Sequence, residues 1–171
     1  MIEVEVKAKC DTGTKEKLAS LGAIFVGVEN HLDVYFDSPI KSFATSDEAL
    51  RIRVKETGAY LTYKGPKIDR ETKSRMEETV AVDDAERLEK ILNALGFVRA
   101  GTVEKRRTKY ILGEATIAFD EVLDLGTFLE VELLADEDWS SMKKVAIDIM
   151  DQLGLNDLIR KSYLELLYEQ I

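Results

Sequence analysis

Apolar and charged residues alternate with a period of two over residues 2–9, which sets Glu3, Glu5, Lys7 and Lys9 on one face and Val4, Val6 and Ala8 on the other. That is the pattern of a β-strand. Asp11 or Thr12 stands where it can cap a short amphipathic helix carrying Leu18, Ala19 and Leu21 and closed by Gly22. A second strand is expected from about residue 23 through Val34, Tyr35 and Phe36 to the Asp37-Ser38-Pro39 turn, followed by a polar loop around residues 45–48. Residues 50–55 alternate again and turn at Gly58 into residues 59–64, a hairpin. Residues 65–74 are rich in charge and turn formers and read as a mobile loop, and residues 75–82 as a further strand.

Asp83 and Asp84 cap a helix with Leu88, Ile91, Leu92 and Leu95 on one face, ended by Gly96. Strands are then expected over residues 97–112, 115–122 and 128–134, joined by Gly113-Glu114 and Asp124-Leu125-Gly126 turns. Two helical patterns close the chain, with Trp139, Met142, Val145, Ile149 and Leu153 on the first and Tyr163, Leu164, Leu167 and Tyr168 on the last. No repeat, low-complexity tract or linker interrupts the order, so residues 1–171 are expected to form a single α+β domain of about eight strands.

Nearly every expected strand keeps a stripe of charge at period two, and the stripes carry both signs. They run through Glu3, Glu5 and Lys7; Arg51, Arg53 and Lys55; Arg75 and Glu77; Lys105, Arg107 and Lys109; Asp120; and Glu130 and Glu132. Two architectures satisfy this. An open antiparallel sheet would show the charged face to water. Alternatively, an eight-stranded antiparallel barrel would turn its apolar side outward, under flanking amphipathic helices, and enclose the ions. An enclosed set of charges must be paired or must hold a ligand, because burying a lone charge is costly.

The residue types suit one ligand class. Hard divalent cations prefer carboxylate oxygen, which makes Glu3, Glu5, Asp120, Glu130 and Glu132 a candidate Mg²⁺ or Mn²⁺ site. Guanidinium forks and ammonium groups suit phosphate oxygens, and Arg51, Arg53, Lys64, Arg75, Lys105 and Arg107 supply them. A metal-bound polyphosphate needs little covalent help from protein, since positioning and electrostatic stabilisation do most of the work of phosphoryl transfer.

Composition narrows the partners. A formal net charge of −9 argues against general attraction to nucleic acid or to an anionic membrane surface, so any anion must meet a local cluster of cations. Cys10 is the only cysteine and the N-terminus lacks an apolar signal core, so a reducing, cytoplasmic setting is expected. His31 is the only histidine, which leaves histidine-based triads and multi-histidine metal sites without parts; it is expected to be structural or exposed. Cys10 reads as a packed thiol and Trp139 as a packing anchor, while Lys55 and Lys109 sit near strand ends where solvent competes with the interior. Glu78 has the opposite parity to Glu77 and falls outside the candidate set.

The stretch Glu3-Val4-Glu5-Val6-Lys7 matches the N-terminal ExExK signature of the CYTH superfamily of triphosphate tunnel metalloenzymes. Later elements follow in order: Asp33 to Asp37, Leu50-Arg51-Ile52-Arg53, Lys64-Gly65-Pro66, Arg75-Met76-Glu77, Glu104 to Arg107, Asp120 with Gly126 to Glu132, and Ser162-Tyr163. Within that superfamily the chain most resembles the class IV adenylyl cyclase branch.

The resemblance implies an eight-stranded tunnel, metal on Glu3, Glu5, Asp120, Glu130 and Glu132, and a triphosphate (ATP, tripolyphosphate or thiamine triphosphate) on the basic set. Lys7 and Lys161 join that set as further phosphate contacts, Glu5, Lys64, Arg107 and Glu132 are the candidate catalytic groups, and Glu77 is a further site candidate. It also implies a homodimer. Three functions share these parts: a cyclase converting ATP to cyclic AMP and pyrophosphate, an inorganic or thiamine triphosphatase, and a polyphosphate- or nucleotide-binding module without turnover. The number of carboxylates argues against the last, because anion capture alone does not need them.

Overall fold

A computed structural model describes residues 1–170. The elements are β1 (Ile2–Lys9), α1 (Thr14–Ser20), β2 (Ile24–Asp37), α2 (Phe43–Ser46), β3 (Ala49–Lys55), β4 (Gly58–Lys64), β5 (Arg75–Val82), α3 (Ala85–Ala94), β6 (Val98–Leu112), β7 (Ala115–Val122), β8 (Gly126–Ala135), α4 (Trp139–Gln152) and α5 (Tyr163–Tyr168). The eight strands close into an antiparallel barrel in the order β1-β5-β4-β3-β2-β6-β7-β8. Closure decides between the two architectures that the alternation allowed. The charged faces become the lining, and the apolar faces become an outer surface that needs cover.

Helices supply the cover. Val4, Val6, Ile117, Phe119, Leu129, Val131 and Leu133 pack beneath Ala146, Ile149, Met150 and Leu153 of α4 and Leu18 of α1, with Trp139 and Cys10 at the margin. On the other side Leu88 and Leu92 of α3 cover Val34, Phe36 and Ile52. Burial pushes the Cys10 thiol up to about 11, which keeps it protonated and inert near neutrality.

Local chemistry places the helix ends. Asp84 accepts from the Arg87 N–H (2.9 Å) at the start of α3, and Ser162 and Glu165 form a capping box on α5. The expected side-chain cap of α1 is absent: Gly13 holds the cap position, and the carbonyls of Asp11 and Thr12 take the Thr14 and Lys15 N–H groups instead. The polar loop after β2 contains α2, whose entry is fixed by Asp37, whose carboxylate accepts from the Phe43 N–H (2.7 Å). Gly101 lets α5 approach β6, since a Cβ there would meet Leu164 Cδ1 at 2.5 Å and the Tyr168 hydroxyl at 3.1 Å. Among the described residues no helix is long and apolar enough to cross a membrane.

Candidate active site

Strand register explains the lining. Across the ladders Arg107 faces Asp120, Arg53 faces Asp33, Lys64 faces Glu77 and Lys7 faces Glu130. Opposite charges in directly facing positions attract at the range where a sheet pairs its side chains. One facing pair breaks the pattern: Glu5 lies opposite Glu132. Glu3 joins them, and one oxygen from each of the three carboxylates lies within 4.8 Å of the others.

The two kinds of pair behave differently. Arg107 donates from Nε and Nη2 to both oxygens of Asp120 (2.7 Å each), from Nη1 to Glu132 (3.0 Å), and also to Glu130. Asp120 further accepts from Lys105 Nζ (3.0 Å) and the Tyr163 hydroxyl (2.9 Å). Burial opposes ionisation there, yet Arg107 and Lys105 hold Asp120 below the usual carboxylate range, and Lys105, Arg107, Lys73 and Lys7 hold Glu130 well below it. At the triad the balance reverses. Burial, with Glu132, Glu77 and Glu5 close by, outweighs Lys64 and pushes Glu3 up to about 8, and burial raises Glu132 as well.

A cavity of about 440 Å³ runs along this lining and brings together most of the expected residues: Glu3, Glu5, Glu130, Glu132 and Glu77 with Arg51, Arg53, Lys64, Arg75, Lys105 and Arg107. Tyr35, Phe43, Val98, Ala100, Leu164 and Tyr168 also line it, apolar and aromatic groups interspersed with charged ones such as Asp37, Glu48 and Arg99. Arg53 clamps Asp33 with two 2.7 Å bonds. The buried Arg51 Nε has no hydrogen-bond partner among the described residues, a donor available to a ligand.

Three expected contacts lie elsewhere. Asp120 is fully buried, does not line the cavity, and serves to hold Arg107, Lys105 and Tyr163 rather than to present an open oxygen. Lys7 points inward but is sealed: its Nζ lies 3.7 Å from Glu130 and 4.0 Å from the centre of the Tyr163 ring, and burial with Lys73 nearby lowers it to about 7. Lys161 is half exposed and pairs with Glu169, outside the cavity lining. Lys161 precedes the α5 cap, whereas the residues of that segment that line the cavity, Ser162 to Glu165 and Tyr168, belong to the cap and the helix.

Other residues were hidden from strand periodicity. Lys73, in the connection expected to be mobile, is buried, lines the cavity and pairs with Glu5. Tyr163 enters the barrel from a helix and packs edge-on against Phe128 (5.2 Å, 62°). Near the far end of the lining, Glu29 accepts from His31 Nε2 (2.8 Å) and faces Lys55 (3.5 Å) and Lys109 (3.6 Å), so both lysines turn inward. Burial and Arg53 lower His31 to about 4, so a neutral ring donates to Glu29.

Comparison with known proteins places this arrangement. The profile of the CYTH domain family matches residues 1–165. The chain belongs to the CYTH domain family. A Methanocaldococcus jannaschii protein that carries the provisional name of an adenylate cyclase is 38% identical over 97% of this CYTH chain and 98% of its own. A solved Pyrococcus horikoshii OT3 structure shares 38% identity, covers 99% of each chain and superposes with a TM-score of 0.93. At 16% identity, a Hippeastrum protein provisionally named an adenylyl cyclase, and described as having a dominant triphosphatase activity, shares the CYTH barrel with a TM-score of 0.69 over 99% of this chain and 95% of its own.

Proposed function

We propose that this CYTH protein is a metal-dependent enzyme that acts on a triphosphate, and specifically an adenylyl cyclase of the class IV type. The carrying observation is the juxtaposition within one cavity of Arg51, Arg53, Lys64, Arg75, Lys105 and Arg107 with an acidic triad in which burial and the neighbouring carboxylates raise the proton affinity of Glu3 and Glu132. Three carboxylates crowded together fit a hard divalent cation, so Glu3, Glu5 and Glu132 are the residues that would hold Mg²⁺ or Mn²⁺. The ion would supply Lewis acidity and neutralise phosphate charge.

The chain's own groups do the rest. Arg51, Arg53, Arg75, Lys105 and Arg107 present donors to phosphate oxygens from several strands, which orients a triphosphate along the cavity. Lys64, shared between Glu77 and Glu3 (3.9 Å), places an ammonium between the basic and acidic walls, where it can stabilise charge on a departing pyrophosphate. In the cyclase reaction the ribose 3′-oxygen bonds to the α-phosphorus, the bond from that phosphorus to the bridging oxygen breaks with its electron pair going to the departing pyrophosphate, and the hydroxyl proton passes to solvent water. Asp120 acts through Arg107 and Lys105, whose positions it fixes.

The aromatic and apolar part of the lining favours a nucleotide over inorganic tripolyphosphate, since a bare polyphosphate offers nothing to Phe43, Leu164 or Tyr168. Hydrolysis is the second reading, because a water molecule directed at a terminal phosphorus would use the same clamp and the Hippeastrum protein of this fold is described as mainly a triphosphatase. Incubation with ATP and Mg²⁺ or Mn²⁺, with products identified, separates the two. Cyclic AMP and pyrophosphate are expected; inorganic phosphate from ATP or tripolyphosphate without cyclic AMP would move the assignment to a triphosphatase.

A further inference from the structure

One cation that meets the acidic triad arrives from outside the strands. Residues 65–74, between β4 and β5, fold back so that the Lys73 N–H donates to the Glu5 carbonyl (2.9 Å), and the Lys73 ammonium pairs with the Glu5 carboxylate and lies 3.9 Å from Glu130. Lys73 is only 7% exposed. The same connection is tied down on its outer side. Asp69 accepts from Lys143 of α4 (3.0 Å), and Arg160 donates to the carbonyls of Asp69 (2.6 Å) and Thr72 (3.2 Å). Thr72 bonds Asp69 (2.7 Å), and the Ile68 N–H reaches the Ser74 carbonyl (2.9 Å), so the strap holds its shape.

A strap thus delivers a buried ammonium to one of the three carboxylates suited to a metal ion. An ammonium and a divalent cation compete for the same carboxylate oxygens, and two cations a few ångströms apart in a buried site repel. Because the main chain of Lys73 is stitched to the very residue its side chain neutralises, displacement of the ammonium also loads the strap's contact with β1.

We propose that Lys73 is an internal stand-in for a divalent cation, and that metal entry displaces it and loosens the 65–74 strap from β1. The strap therefore reports and regulates metal occupancy. This rests on the reading of Glu3, Glu5 and Glu132 as metal ligands, and the test keeps the two apart.

Hydrogen–deuterium exchange of residues 66–74 and tryptic cleavage after Lys67 and Arg70 are followed while Mn²⁺ alone is added to the intact protein. Both are expected to rise at saturating Mn²⁺, with β8 unchanged. By calorimetry Lys73→Met is expected to bind Mn²⁺ roughly tenfold more tightly, the scale of one neighbouring buried charge. Lys143→Ala, which loosens an outer anchor without touching the cavity, is expected to tighten Mn²⁺ by a smaller factor. Wild-type uptake of Mn²⁺ with no change in the strap, together with weaker binding by Lys73→Met, would overturn the inference and make Lys73 an organiser of Glu5. No uptake by any of the three proteins would overturn the metal reading itself.

Discussion

The wall built around Arg107 and the wall built around Glu3, Glu5 and Glu132 contain the same residue types at the same period, yet their charges are resolved in opposite ways. Arg107 meets Asp120 and Glu130 across β6, β7 and β8, and each carboxylate is held ionised by cations within hydrogen-bond reach. The other wall faces Glu5 with Glu132 and adds Glu3, so burial and the neighbouring carboxylates favour the protonated forms of Glu3 and Glu132. A buried network that satisfies itself fixes its cations in place beside the cavity, whereas crowded like charges make a place for a cation from outside. Register contributes to the difference: the β1–β8 pairing sets Glu5 opposite Glu132, whereas its next inward position sets Lys7 opposite Glu130 and the β6–β7 pairing sets Arg107 opposite Asp120.

Substitutions on the two walls should therefore have opposite signatures. Arg107→Met leaves Asp120 and Glu130 short of their main partner, and is expected to cost about 3–5 kcal/mol in urea unfolding, the range for breaking a buried ion pair. A loss below about 1 kcal/mol would show that the wall is not a self-neutralising scaffold. Glu132→Gln removes a repelling charge and keeps an amide oxygen that can accept from Arg107, the Glu132 partner at 3.0 Å, so stability without added metal is expected to stay level or rise, while Mn²⁺ affinity measured by calorimetry falls by at least roughly tenfold, the smallest loss typical even for an outer metal partner.

Proton linkage sharpens the contrast. Glu3 titrates near 8 when folded against an ordinary 4.5, so the folded chain binds the extra proton between those values. Its contribution to stability is complete below about pH 4.5 and is lost as pH rises toward 8. Melting curves from pH 5 to 9 should show this decline, Mn²⁺ should offset it most at high pH, and Glu3→Gln should flatten it. The smallest effect is expected among the aromatic lining residues, where Tyr168→Ala should weaken ATP binding roughly fivefold, within the range for one base-stacking contact, and leave tripolyphosphate unchanged.

Much of this was legible in the chain because a strand repeats every two residues. Alternation placed Glu3, Glu5, Arg51, Arg53, Arg107, Glu130 and Glu132 on a common face, and closure of the barrel brought them together. Periodicity carries no information on partners across the ladder, however. It therefore grouped Asp120 with the metal ligands, although register gives it to Arg107. It was also blind to residues that reach the interior from other elements. Lys73 sits in a connection with no period, and Tyr163 lies on a helix where an inward ring looks like any packing residue. Lys161 was singled out through the family resemblance, and proximity in sequence to the Ser162-Tyr163 pair does not fix the direction of its side chain, which pairs with Glu169.

The most direct test is calorimetric titration of tripolyphosphate into the wild-type protein and Glu132→Gln, each with and without Mn²⁺. One tripolyphosphate per chain, bound much more tightly with Mn²⁺ in the wild type and nearly indifferent to Mn²⁺ in the variant, is the predicted result. Equal affinity with and without the ion in the wild type would contradict a barrel interior organised to hold metal and triphosphate together.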